Sequence, residues 1–169
     1  MGNTASGKST LAGNIARTLD LPQYSLDKFY WQANWKHISR PEFLKIMTQL
    51  TQKESWVIDG TFAEFGLESR FEAADKILLL DSHPFDCVRR ALSRRGKDAG
   101  RLPEGADDRE MNPILAIGFL VEILIFNIND RRRIMKMAKK FPEKFILLKN
   151  WDEEDKFIER LEKNENRKI

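Results

Sequence analysis

The chain is poor in cysteine: among its 169 residues only Cys87 carries a thiol. No intrachain disulfide can form, which suits a reducing cytoplasm and leaves stability to a hydrophobic core. Histidine is nearly as scarce. His37 and His83 stand apart, so neither a Cys/His metal spacing nor a Ser-His-Asp relay stands out. Internal repeats and low-complexity linkers are missing. The most apolar stretch, Ile114 to Phe126, contains Glu122, falls short of a bilayer span and reads as a buried core helix. The start is a Gly-rich loop and not a charged and apolar leader, so a cytoplasmic location without membrane partners is expected. Charge of one sign is also lacking: 29 basic against 26 acidic residues leave +3 and a pI near 9.0. That is a weak pull toward an anionic partner, met as well by a nucleotide as by nucleic acid. What is present, 41% hydrophobic and 33% charged residues, suits a single domain over 1–169 with a real core.

Alternating elements follow along the chain. Leu11, Ile15 and Leu19 give an apolar stripe for a helix from Ser9 to Leu19. Gln23 to Leu26 is a strand candidate ending at Asp27. Ser39-Arg40-Pro41-Glu42 resembles a capping box opening a helix to about Gln52. Trp56 to Asp59 and Lys76 to Leu80 are strands, the second a continuous apolar run of the kind buried in parallel sheets. Pro84 opens a helix to about Arg95. Residues 96–112, rich in Gly and charge, read as a lid-like insertion. A long helix is expected from Pro113 to about Lys140, then a strand from Lys144 to Leu148 and a helix from Glu153 to Leu161. The implied fold class is α/β, a three-layer doubly wound parallel sheet of the P-loop nucleotide-kinase type. Its ligands would lie beyond the strand ends, where Asp27, Asp59 and Asp81 fall.

Gly2-Asn3-Thr4-Ala5-Ser6-Gly7-Lys8-Ser9 fits G-x-x-x-x-G-K-[ST] at every fixed position. Glycines let the backbone curl so that successive N–H groups point at phosphate oxygens, and the following helix, with Thr10 in its first turn, adds its positive end. Lys8 would reach the β- and γ-phosphates and Ser9 would ligate Mg²⁺. One feature departs from the pattern. A P-loop follows a central strand, and here only Met1 precedes Gly2; either the start is shortened or the sheet forms around a gap, and the shortened start is the expectation.

Asp59, at a strand end before Gly60, is the candidate second metal carboxylate, with Asp81 as competitor. Asp27, at the preceding strand end, could take or orient an acceptor hydroxyl proton. Arg70 could reach the acceptor or form a surface pair. Arg89, Arg90, Arg94 and Arg95 share one helix, and Arg131, Arg132 and Arg133 another. Such cations suit the charge-spread transition state of phosphoryl transfer, though plain surface or a nucleic-acid patch would use the same residues. Trp31 and Trp35 could stack on a base, but core packing accounts for them better. Cys87, within a helix, reads as packed and inert.

The phrases Tyr24-Ser25-Leu26-Asp27-Lys28 with Trp31 and Trp35, Trp56 to Phe62, Arg70 to Asp75, and Arg89-Arg90 with Arg94 to Lys97 together resemble bacterial DNA topology modulation proteins of the FlaR type. These belong to the adenylate-kinase-like P-loop group, and the likeness covers nearly the whole chain. It implies sheet order 2-3-1-4-5, ATP or GTP in the loop, and a lid carrying arginines. Asp59-Gly60-Thr61-Phe62 is similar to the Asp-Gly-Phe-Pro-Arg segment of adenylate kinases but carries Ala63 and Glu64 where Pro and Arg belong, which speaks against adenylate kinase activity. The expectation is a Mg²⁺-dependent kinase: Lys8 on the donor, Ser9 and Asp59 on the metal, Asp27, Asp59 and Arg70 toward a nucleoside, nucleotide or other hydroxyl-bearing acceptor, and Arg94, Arg95, Arg131 or Arg133 neutralising developing charge. The alternative is a nucleotide-gated regulator without small-molecule kinase activity.

Overall fold

The computed structural model describes residues 1–94 and 113–165. The run Ile77-Leu78-Leu79-Leu80 explains the layering. As strand β3 (Ile77–Leu80) its successive side chains point to opposite faces. Ile77 and Leu79 join one core cluster, Leu78 and Leu80 another. Strand β4 (Phe145–Leu148), paired in parallel with β3, alternates the same way. A sheet apolar on both faces needs helices on both, and it has them. Helices α1 (Lys8–Thr18) and α8 (Trp151–Glu165) supply Leu11, Phe157 and Ile158 to one cluster. On the other face, α4 (Leu67–Ala73) and α7 (Asp130–Ala138) supply Phe71 and Ile134. Phe71 is fully buried, worth about 1.5–3 kcal/mol in transfer terms.

The other half of the sheet is smaller. Strands β1 (Gln23–Ser25) and β2 (Val57–Asp59) pair in parallel, with Ser25 opposite Asp59. Their core is Leu26, from the short α2 (Leu26–Tyr30), with Phe43 and Met47 of α3 (Arg40–Thr51). The cap expected of Ser39 forms: its hydroxyl accepts from Glu42 N–H at 3.4 Å.

Between the halves lie Met1 and Gly2. Gly2 bridges in parallel to Leu80, Leu80 N–H donates to Met1 O at 3.0 Å, and the Met1 amine donates to Leu78 O at 2.7 Å. Toward β2 the join runs through a side chain. Gly2 N–H donates to Thr61 Oγ1 at 2.9 Å, and that hydroxyl donates back to Gly2 O. The strands form two two-stranded parallel sheets, β1-β2 and β3-β4, with Met1 and Gly2 between them, in the order the resemblance implied. Burial lowers the Met1 amine from 8.0 to about 5; Asp59 opposes that shift, and Lys8 and Arg70 add to it.

Two expectations about the second half of the chain are corrected. The long helix is broken into α6 (Pro113–Ile125) and α7 by turns over 126–129. Nor is α6 a buried core helix. Only Ile123 is buried, while Ile114, Ile117 and Val121 are exposed at 81%, 62% and 48%. By length and composition alone, Pro113–Ala138 reaches the apolarity of a membrane span. The turn interrupts it, and Arg131 on α7 is tied to Asp81. Helix α5 (Pro84–Arg94) packs beside α6 and buries Cys87 completely. The expected lid at 96–112 and Arg95 lie outside the described residues.

Candidate functional site

The phosphate loop has the backbone its sequence requires. Gly7 lies at φ 105° and opens α1 without a side-chain cap, which leaves the helix's first N–H groups facing the loop. Gly2 lies at φ 153°, and a Cβ there would sit 2.8 Å from Ser6 Oγ. The loop is held from several sides. Asn3, buried, donates from Nδ2 to Ile123 O of α6 at 2.9 Å and accepts Thr4 N–H on Oδ1 at 2.8 Å. Ser82 Oγ donates to Ser6 O at 3.4 Å. Arg90 donates to the carbonyls of Ala5 and Ser6 at 3.2 and 2.9 Å. Lys8 Nζ donates to Asn3 O at 3.3 Å, folded over the loop it serves. Ser9 lies in the first helical turn facing the cleft; Thr10, beside it, is exposed.

This loop forms one end of a cleft of about 930 Å³ that Asp27, Asp59 and Arg94 also line. Asp59 is 2% exposed, and neither carboxylate oxygen has a hydrogen-bond partner among the described residues. A buried, unpartnered carboxylate is expensive unless something cationic or water-bearing completes it. With the Ser9 hydroxyl lining the same cleft, the donor set fits a hard divalent cation such as Mg²⁺. The side chain of Asp27 makes no hydrogen bond among the described residues. Burial raises its pKa, Lys8 pulls it down and Asp59 pushes it up.

Several expected residues lie elsewhere. Arg70, expected to face the acceptor, is 3% exposed and turned inward. Its guanidinium donates to the carbonyls of Gly60, Thr61 and Phe62 at 3.2, 2.6 and 2.9 Å, so it clamps the loop after β2 and leaves the cleft to others. Burial lowers its pKa to about 10. Asp81 is not free to compete for a metal. Arg131 grips it with two bonds, Nε to Oδ1 at 2.7 Å and Nη2 to Oδ2 at 2.8 Å. That hydrogen bond raises the Arg131 pKa. Arg133, half exposed, stands 3.8 Å from Glu64 and 3.9 Å from Asp130 and does not line the cleft. Arg89 reaches only Asp86, at 4.0 Å and well exposed. The basic clusters thus disperse instead of forming one patch. Sequence reasoning gave Arg90 no role of its own, because nothing local shows that a helix residue 84 positions away touches Ser6.

The tryptophans also differ from expectation. Trp31 and His37 bridge across a tight hairpin that holds Asn34 at φ 57° and Trp35 at φ 56°. Both tryptophans line the cleft and belong to none of the core clusters. Each lies 5.7 Å from Phe119 of α6.

A second cavity, about 680 Å³, opens beyond the ends of β3 and β4. Asp81, Arg90, Asn127, Arg131 and Trp151 line it, with the Arg90 guanidinium 5.8 Å from the Trp151 ring centroid.

Comparison with protein-family models gives no match, and comparison with curated proteins gives none either. The resemblance to topology modulation proteins therefore rests on the motifs quoted. Among solved structures the chain is similar to a shikimate kinase from Bacteroides thetaiotaomicron. The TM-score is 0.57 and identity 19%, over 98% of this chain and 96% of that one. A likeness at that identity shows the fold alone: this chain has the α/β P-loop fold of that structure.

Proposed function

We propose that this chain is a Mg²⁺-dependent kinase that transfers the γ-phosphoryl group of ATP or GTP to a hydroxyl on a small acceptor. The observation that carries the reading is one cleft holding a complete phosphate loop, the unpartnered Asp59 and the raised Asp27 together. The donor triphosphate would lie along Gly2 to Ser9, with Lys8 on its terminal phosphates. The base would enter the cavity that Arg90 and Trp151 line, where the stacked guanidinium and indole offer an outer flat face. Ser9 and Asp59 are the residues that would hold Mg²⁺, which supplies charge neutralisation on the phosphate oxygens when bound.

The acceptor oxygen forms a bond to Pγ while the bond from Pγ to the β,γ-bridging oxygen breaks. The electron pair stays with the departing nucleoside diphosphate, and Asp27 takes the hydroxyl proton. Arg94, in the cleft beside the loop, faces the charge that spreads in between. Arg70 acts at a distance, by fixing the backbone after Asp59. A coupled assay of nucleoside diphosphate release tests the assignment. Wild type should turn over with Mg²⁺ and a hydroxyl acceptor, and Lys8→Ala should not; unchanged turnover in that variant would sink it.

A further inference from the structure

The acceptor end of the cleft carries the wrong charge for an anionic acceptor. Besides Asp27 and Asp59, the carboxylates that line the cleft are the exposed Glu64 and Glu122 and the half-buried Asp130, and its aromatic residues include Tyr30, Trp31, Trp35, Phe62 and Phe119. The cations that line the cleft are Lys8 and Arg94 beside the phosphate loop and Lys28 on the exposed side of α2. Arg133 approaches Glu64 and Asp130 only from outside, at 3.8 and 3.9 Å. Glu122 has no hydrogen bond or ion pair among the described residues. Its pKa is raised by burial first, then by Asp130, Asp27 and Glu64, while Lys8 lowers it. Asp130 is raised by burial and by Glu64, while Arg133 and Arg70 lower it. These carboxylates repel one another, and among the described residues the cations that oppose the repulsion are Lys8 at the phosphate loop and Arg70 and Arg133 from outside the cleft. Asp59, 2% exposed and without a hydrogen-bond partner among the described residues, lines the same cleft.

The aromatic side adds the second requirement. Trp31 and Trp35 lie at 71° to each other, Trp35 and Phe119 at 66°, and Trp31 and Phe119 at 52°. No two of these rings are parallel, so they make no slot for a flat base. They do make an electron-rich wall, the surface that attracts ammonium groups.

We infer that the acceptor is a cationic alcohol: a hydroxyl compound bearing a protonated amine or a quaternary ammonium, its charge set between Glu122 and the Trp31–Trp35–Phe119 wall and its hydroxyl at Asp27. This rests on the kinase reading of the same cleft. A nucleotide or a hydroxy acid, in contrast, would bring negative charge to a ring of carboxylates. Transfer to such an alcohol converts its hydroxyl to a phosphate monoester, with the hydroxyl proton passing to Asp27 as described above.

The test is isothermal titration into the full chain, with and without MgADP. The probes are choline and kanamycin as small and large amino alcohols, glycolate as a hydroxy acid, and adenosine as a neutral nucleoside. An amino alcohol should bind at least tenfold tighter than glycolate or adenosine. Glu122→Gln and Trp31→Ala should each weaken it about fivefold to tenfold, while leaving MgADP affinity unchanged. Tighter binding of glycolate or of adenosine would overturn the cationic class. So would failure of both amino alcohols to bind while MgADP binds, and the nucleotide reading would then stand alone. Failure of MgADP itself would sink the kinase reading, and the nucleotide-free titrations would still decide the acceptor charge.

Discussion

The two ends of the central cleft are built on opposite principles. At the phosphate end, position comes from backbone: Gly2, Gly7, the start of α1 and carbonyls tethered by Asn3 and Arg90. Its charge is positive, from Lys8 and Arg94. At the acceptor end, position comes from side chains on separate elements, and the charge is negative. A triphosphate has one shape, so a local loop can be written for it in eight consecutive residues. An acceptor has no such standard form, and its site is assembled from α2, the hairpin after it, the loop after β2 and α6. The first kind of site can be read from a motif and the second cannot.

The largest effect should come from breaking the phosphate end. Lys8→Ala removes the cation on the terminal phosphates and should lower kcat by about a thousandfold or more, while acceptor binding without nucleotide is retained. Asp27→Asn acts at the junction of the two ends. It removes the proton acceptor but keeps shape, and should lower kcat by roughly 10²–10⁴ with little change in nucleotide affinity by titration. In wild type the acid limb of the pH–rate profile should lie above the ordinary aspartate range, since burial raises Asp27. That limb should vanish in the variant.

Arg70→Met sharpens the comparison differently, because Arg70 holds the acceptor-side loop without touching the cleft. Removing a buried cation from several carbonyls should lower the unfolding free energy by about 3–5 kcal/mol, measured by denaturant titration. A smaller loss with a raised acceptor KM would instead mean that Arg70 meets the acceptor after all.

The smallest effect concerns the carboxylates of the cleft. Asp27, Glu122 and Asp130 are raised by the fold, so their share of the stability is lost as pH rises through their folded values. Glu122→Gln removes one of them, and its Tm should fall less than that of wild type as pH rises through that range. An equal fall would show that Glu122 does not share the field of the other carboxylates.

How much of this was legible in the sequence follows from the range of the interactions. The phosphate loop, the cap at Ser39, the apolar run of β3 and the doubly wound class were all readable, because each depends on neighbours a few residues apart. The two faces of β3 were implied too, since a strand apolar at every position must be covered on both sides. Asp27 and Asp59 were found as strand-end carboxylates, a signal that parallel sheets make dependable.

The rest was decided by tertiary structure. Arg70 and Asp81 looked like site residues by type and spacing, yet one is spent on backbone carbonyls and the other on Arg131, 50 positions away. Trp31 and Trp35 carry the composition of a core, but a hairpin holds them at the cleft instead. The sequence from Ile114 to Phe126 has the hydropathy of a buried helix, and hydropathy alone does not say which neighbours arrive to cover it. Local chemistry wrote the phosphate end into consecutive residues. The charge and shape of the acceptor end emerge only when distant segments meet, because mutual repulsion among Asp27, Glu122 and Asp130 exists in the folded chain and nowhere in the linear one.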